Sequence, residues 1–139
     1  MGLASAVPWY VQGFTERSGI PVELQLPPDL ERLPQPVEMV LFRVLQECLT
    51  NIHRHSGSKS ARITLRMENG FVLLAIHDWG KGFNSGNDDL RVGVGIASMR
   101  ERVREQGGDL RISSSSAGTT VEASLPLRKE AGLRKVSSL

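Results

Sequence analysis

One cysteine, Cys48, stands alone among 139 residues. A single thiol cannot form a disulfide framework or a cysteine-based zinc site, so a reducing compartment is expected. Long apolar runs are also lacking. The longest, Phe71-Val72-Leu73-Leu74-Ala75-Ile76, falls far short of the roughly 20 residues needed to span a bilayer, so this segment does not insert into a membrane. The start, Met1-Gly2-Leu3-Ala4-Ser5, has no basic stretch leading into an apolar one and is not a secretory signal. Charge of one sign is scarce too. Seventeen Lys and Arg stand against fifteen Asp and Glu, and the basic residues are scattered, which argues against nucleic-acid binding. What is present, 40% apolar and 23% charged residues, fits one globular domain with its own core.

Apolar positions Leu3, Val7, Tyr10, Val11 and Phe14 recur at helical spacing and predict an entry helix over residues 1–19, although Pro8 interrupts it. Val22 to Leu26 alternates as a half-buried outer strand and stops at Pro27-Pro28. Val37, Val40, Leu41, Val44, Leu45, Cys48, Leu49 and Ile52 form the strongest periodic stripe, predicting a helix from about Pro36 to His55 closed by Gly57. Residues 61–67 and 71–78 flank Asn69-Gly70, the signature of a tight hairpin. A polar, glycine-rich loop is expected from Trp79 to Gly95, then a helix at about 96–106 ending at Gly107-Gly108, then strands at about 109–114 and 119–125. Residues 128–139 form a basic tail expected to fray. The sum is an α+β domain over residues 1–127: a two-layer sandwich with a mixed, mostly antiparallel sheet of about five strands and three helices on one face.

Three short motifs offer chemistry, each weighed against a plainer role. Glu47, Asn51 and His55 are four apart on the long helix, with Arg54 adjoining, so they form one polar stripe beside the apolar face. Such a stripe is most often a solvated helix face. It also offers an amide oxygen for a hard cation such as Mg²⁺, which keeps several waters and is commonly shared with substrate phosphates. Asp78-Trp79-Gly80-Lys81-Gly82 follows a strand end, where an Asp often merely builds a turn. Its functional reading is a carboxylate accepting from a ligand amino group, with Gly80 and Gly82 letting backbone approach a flat ring. Gly93-Val94-Gly95-Ile96 opens the next predicted helix, and a glycine loop feeding a helix N-terminus is either a flexible connector or a phosphate cradle. Neither glycine stretch is a dinucleotide-binding fingerprint, and no P-loop pattern occurs.

In this order and spacing the motifs resemble the ATP-binding domain of bacterial two-component sensor histidine kinases, in the superfamily that also holds gyrase-type ATPases, mismatch-repair ATPases and a heat-shock chaperone. The segment from Phe42 to His55 is similar to the family's asparagine box, Asp78-x-Gly80-x-Gly82-Phe83 to its first glycine box, and Gly93-x-Gly95-Ile96-x-x-Met99-Arg100-Glu101-Arg102 to its second, in the nitrate-sensor and desaturase-regulator form. Gly118-Thr119-x-Val121 running to Leu125-Pro126 resembles the closing strand, and the likeness spans about Trp9 to Leu127. The resemblance implies a Bergerat-type fold and Mg²⁺-dependent ATP binding. Asn51 would ligate Mg²⁺, and Glu47 would polarise the attacking group or a metal-bound water. Arg54 and His55 would lie near the phosphates. Asp78 would bind the adenine amino group, with Gly80 and Gly82 beneath the ring and Thr119 and Ile96 completing the nucleotide site. Gly93 and Gly95 would border the phosphates, and residues 83–92 would be a lid.

A kinase of this family phosphorylates a histidine on a separate helical dimerisation domain and passes the phosphoryl group to a response regulator. His53, His55 and His77 are the three histidines here, and none has the setting of a phosphoacceptor. The chain therefore reads as a catalytic domain without its acceptor helices, cytoplasmic within a parent that a membrane anchor could hold, and unable to phosphorylate itself alone. Two alternatives stand beside it: an anti-sigma-factor serine kinase of the same superfamily, and an interaction domain that no longer uses ATP.

Overall fold

A computed structural model describes residues 2–80 and 88–127. Helix α1 (Leu3–Ser18) carries Leu3, Val7, Val11 and Phe14 into the core and continues through Pro8 without a break. It ends at Gly19, whose φ of +75° allows its N–H to reach the Thr15 carbonyl at 2.8 Å. Strand β1 (Val22–Gln25) follows. Helix α2 (Gln35–Asn51) has a proline in its first turn and buries Val37, Val40, Leu41, Val44, Leu45, Cys48 and Leu49 along one stripe. It runs on into one wide π turn (Ile52–Ser56), closed by left-handed Gly57. Strands β2 (Ala61–Glu68) and β3 (Phe71–Asp78) form a hairpin. Both turn residues have positive φ, Asn69 at 53° and Gly70 at 80°, as a tight right-twisted hairpin needs.

Helix α3 (Asp88–Glu105) leads by Gly107-Gly108 into strands β4 (Asp109–Ser115) and β5 (Gly118–Pro126). The sheet order is β1-β2-β3-β5-β4, with β1 parallel to β2 and every other pair antiparallel. Ile63, Leu65, Val72, Leu74, Ile76, Val121, Ala123 and Leu125 line the face that the helices cover. The expected α+β architecture is the observed one. No helix among the described residues is long and apolar enough to cross a membrane.

One boundary differs. The loop expected over residues 79–95 is cut short, because α3 starts at Asp88, eight residues before the expected Ile96. Gly93 and Gly95 therefore lie inside a helix and not in a loop feeding its N-terminus. Glycine is tolerated within a helix at about 1 kcal/mol each relative to alanine, so two glycines are weak grounds for a break. At Gly95 the missing side chain has a use: a Cβ would come 2.6 Å from Glu47 Oε2, so glycine lets α3 pass close over α2. Of the expected lid, residues 88–92 are helical, while 83–87 and Gly82 lie outside the described residues, as does the tail at 128–139.

Candidate nucleotide site

The site forms where the end of α2, the end of β3 and the start of β5 converge. Asp78 is the last residue of β3 and pairs across the ladder with Thr119 on β5 and Ala61 on β2. Both Asp78 and Thr119 are buried, at 5% and 3% exposure. The Gly80 N–H donates to Asp78 Oδ1 at 2.7 Å, fixing the carboxyl group in a turn. Asp78 Oδ2 receives no hydrogen bond from any described residue. Burial pushes the Asp78 carboxyl above its ordinary range, against the opposing pull of the Gly80 N–H and of His77.

Backbone packing locks this strand end to the end of α2. The Ser56 hydroxyl donates to the Ile52 carbonyl at 3.0 Å and accepts from the Ser58 N–H at 3.0 Å. Ser58 Oγ in turn accepts from the Trp79 N–H at 3.0 Å. Gly80 abuts the Ser56 carbonyl, leaving no room for a side chain, and Gly118 abuts the Asp78 carbonyl with φ at +142°. The missing Gly80 side chain makes room for the protein's own backbone at the end of the π turn. Trp79 turns away onto the open face of the sheet, edge-on to His77 at 4.5 Å with the Arg62 guanidinium over its ring.

Asp78, Thr119, Asn51 and Ile96 line one narrow cavity, together with Cys48, Ile52, Ser56, Ile76, Met99 and Val121. The apolar members form its walls, with the polar groups of Asp78, Thr119 and Asn51 set among them. The Asn51 amide makes no hydrogen bond to a described residue. Cys48, which the sequence suggests as core packing, is buried and also forms part of this wall. Burial, with the Glu47 and Asp78 carboxylates nearby, pushes its thiol pKa up. The space accessible to a water-sized sphere is only about 20 Å³, room for about one water. Ile96 and Met99 of α3 share this lining with Ile76 and Val121 of the sheet.

Glu47 and Gly95 line a second depression, on the neighbouring side of α2 and α3. Arg54 and His55 line neither. The cause is the π turn, which widens the helix after Asn51 and carries residues 54 and 55 off the Glu47–Asn51 stripe. Ser56 and Ile76 were not singled out by sequence, and Met99, part of the second glycine box, was given no role in the site. Met99 was legible in principle, three residues after Ile96 on the same helix face. Among the described residues no three His, Cys, Asp or Glu side chains cluster as a metal site.

A carboxylate at a strand end, an asparagine at the end of the facing helix and a third helix carrying glycine thus meet at one cavity of an α+β sandwich. Residues 37–129 match the profile of the histidine kinase-, DNA gyrase B- and HSP90-like ATPase family, and the chain belongs to that family. Within it, the chain is of the sensor histidine kinase type. It is 34% identical over 128 residues to sensor histidine kinase MctS of Rhizobium johnstonii, covering 91% of this chain and 28% of that protein. It is 38% identical over 112 residues to sensor protein VraS of Staphylococcus saprophyticus, covering 78% and 32% respectively. The histidine kinase domain of a blue-light activated histidine kinase from Erythrobacter litoralis superposes with a TM-score of 0.76 at 21% identity, over 96% of this chain and 64% of that one, a likeness of fold. The chain spans about a third or less of the length of these curated relatives. Their names favour the histidine kinase reading over the anti-sigma-factor alternative.

Proposed function

We propose that this domain binds Mg²⁺-ATP in the Asp78 cavity and donates the γ-phosphoryl group to a histidine on a separate helical dimerisation domain, which then serves a response regulator. The carrying observation is Asp78: a buried carboxylate with one oxygen committed to the Gly80 N–H and the other free to accept from an exocyclic amino group. ATP presents such a donor at the purine 6-position, whereas GTP presents a carbonyl there, so the site discriminates by leaving one pairing unmade. Thr119 adds a hydroxyl beside Asp78, already 3.0 Å from the Ser114 hydroxyl. Cys48, Ile76, Met99 and Val121 supply flat apolar contact for the ring.

Asn51 suits Mg²⁺, because its amide has no partner among the described residues and borders the cavity where phosphates would follow the adenine. The ion supplies charge neutralisation for the transferring group. Glu47, one turn before Asn51, carries a carboxylate without an ion pair among the described residues and would orient the attacking imidazole. Gly93 and Gly95 would border the phosphates once α3 moves aside. Arg54 and His55 act only if that opening brings the phosphate chain past the π turn. The acceptor nitrogen gains a bond to phosphorus, ADP departs with the broken P–O pair, and the imidazole proton leaves to base or solvent. The parent works in the cytoplasm, anchored or not.

Titration of a fluorescent ATP analogue, with and without Mg²⁺, tests this. Saturable binding that strengthens with Mg²⁺ and is displaced by ATP but not GTP is the expected result. Absence of binding at millimolar nucleotide would refute it.

A further inference from the structure

The register of the sheet places one polar row on the face that the helices cover. At the cavity end, Ala61, Asp78, Thr119 and Ser114 stand side by side across β2, β3, β5 and β4. The next row, Ile63, Ile76, Val121 and Ile112, is apolar throughout. Alternation along β4 puts Leu110, Ile112 and Ser114 on this same face, so a third apolar residue would continue the pattern at position 114. A serine stands there instead, and its hydroxyl lies 3.0 Å from Thr119 Oγ1, with either oxygen able to donate. Thr119 is buried and lines the nucleotide cavity beside Asp78. Its branched Cβ holds the oxygen in place through one stiff torsion, so only its hydrogen is left to turn. With Ser114 as donor, that hydrogen turns into the cavity; with Thr119 as donor, only lone pairs face the cavity. The Asp78 carboxylate, the cross-strand partner of Thr119, decides between the two, because it attracts an O–H on its side and repels a lone pair.

We propose that Ser114 is a positioning residue for purine selection: by donating to Thr119 Oγ1 it turns the Thr119 O–H toward the ring nitrogen that adenine carries next to its amino group. The inference rests on the nucleotide reading above and deepens it. Adenine presents a donor, the 6-amino group, and beside it an acceptor, N1. Guanine presents the reverse at both places, a carbonyl and an N–H. An accepting Asp78 next to a donating Thr119, acting directly or through one water, complements the first edge and opposes the second. Ser114 itself is exposed on the edge strand β4, and its part is to fix which end of the Thr119 hydroxyl meets the base.

Ser114→Val and Ser114→Thr give side chains of one shape, without and with the hydroxyl, at an exposed edge position. The full chain and both variants are titrated calorimetrically, in Mg²⁺, with ATP and with 1-deaza-ATP, which keeps the 6-amino group and replaces N1 by C–H. The unaltered chain is expected to bind ATP about fivefold tighter than 1-deaza-ATP. In Ser114→Val, ATP should weaken to the level of 1-deaza-ATP, whose own affinity stays constant, and Ser114→Thr should restore the preference. A preference that survives Ser114→Val, or that the unaltered chain lacks, overturns the proposal. So does equal weakening of both nucleotides in Ser114→Val, the mark of a purely structural serine, or a Ser114→Thr that behaves as Ser114→Val does. Failure of the unaltered chain to bind ATP at all overturns the nucleotide reading instead, a separate outcome.

Discussion

The two walls of the nucleotide cavity are built differently. The wall made by the end of β3, the start of β5 and the π turn of α2 is fixed by backbone: Ser56, Ser58, Gly80 and Gly118 interlock around Asp78 through hydrogen bonds of 2.7–3.0 Å and through close approaches that exclude any side chain. The opposite wall, contributed by Ile96 and Met99 in the middle of α3, has no such backbone clamp among the described residues, and two glycines precede Met99 on that helix. On the proposed reading, the clamped wall recognises the purine and the α3 wall admits it.

The largest effect expected from breaking this contrast is at Gly118. Gly118→Ala forces a Cβ onto the Asp78 carbonyl at a φ that L residues avoid, and should destabilise the fold by about 3 kcal/mol in urea unfolding. The matching change on the other wall, Gly95→Ala, meets only the end of the flexible Glu47 side chain and gains helix propensity of about 1 kcal/mol. It should leave stability equal or higher while lowering ATP-analogue affinity about fivefold, because the helix resists opening. Equal destabilisation at both glycines would erase the distinction between the walls.

Asp78→Asn comes next and splits function from stability. Losing a charged acceptor should weaken ATP about ten- to a hundredfold. Stability moves the other way. Burial raises the folded-state pKa of Asp78, so between its unfolded and folded values the native state holds more protons and stability falls as pH rises. The penalty is fully present above the folded pKa and disappears as pH drops below the unfolded one. The Asn variant should therefore melt higher than the parent at neutral pH, with the advantage vanishing in acid. Melting curves across pH check this. ATP affinity of the unaltered chain should also weaken as pH falls through the same window, because the protonated carboxyl accepts poorly.

A further effect is expected at Asn51, which lines the cavity with no hydrogen-bond partner among the described residues. Asn51→Ala should remove the Mg²⁺-dependent part of analogue binding, about tenfold, and leave the melting temperature within about 2 °C. A large drop in melting temperature would make Asn51 a structural residue.

How far the sequence carried depends on what each signal measures. Helix α2 and the Asn69-Gly70 hairpin were legible because apolar period and turn stereochemistry are local properties. Asp78 and Thr119 were legible as candidates, and their pairing across β3 and β5 followed from the two strands being neighbours. The start of α3 was not, because glycine punctuates loops and also permits close helix crossing, and only Glu47 packed beneath Gly95 distinguishes the two. The π turn left no mark in the spacing of Glu47, Asn51 and His55, so His55 and Arg54 fell off the stripe on which an ideal α-helix would keep them. Ser56 and Ser58 carry the clamp around Asp78 yet look like ordinary polar residues of a turn.

Calorimetric titration of the purified domain with ATP and with GTP, in Mg²⁺, for the unaltered chain and for Asp78→Asn, tests the central claim most directly. Binding of ATP to the unaltered chain, at least about tenfold weaker binding of GTP, and loss of that preference in Asp78→Asn are the predicted results. Equal heats for the two nucleotides, or an unchanged ATP affinity in Asp78→Asn, would contradict the assignment of Asp78 as the group that reads the purine.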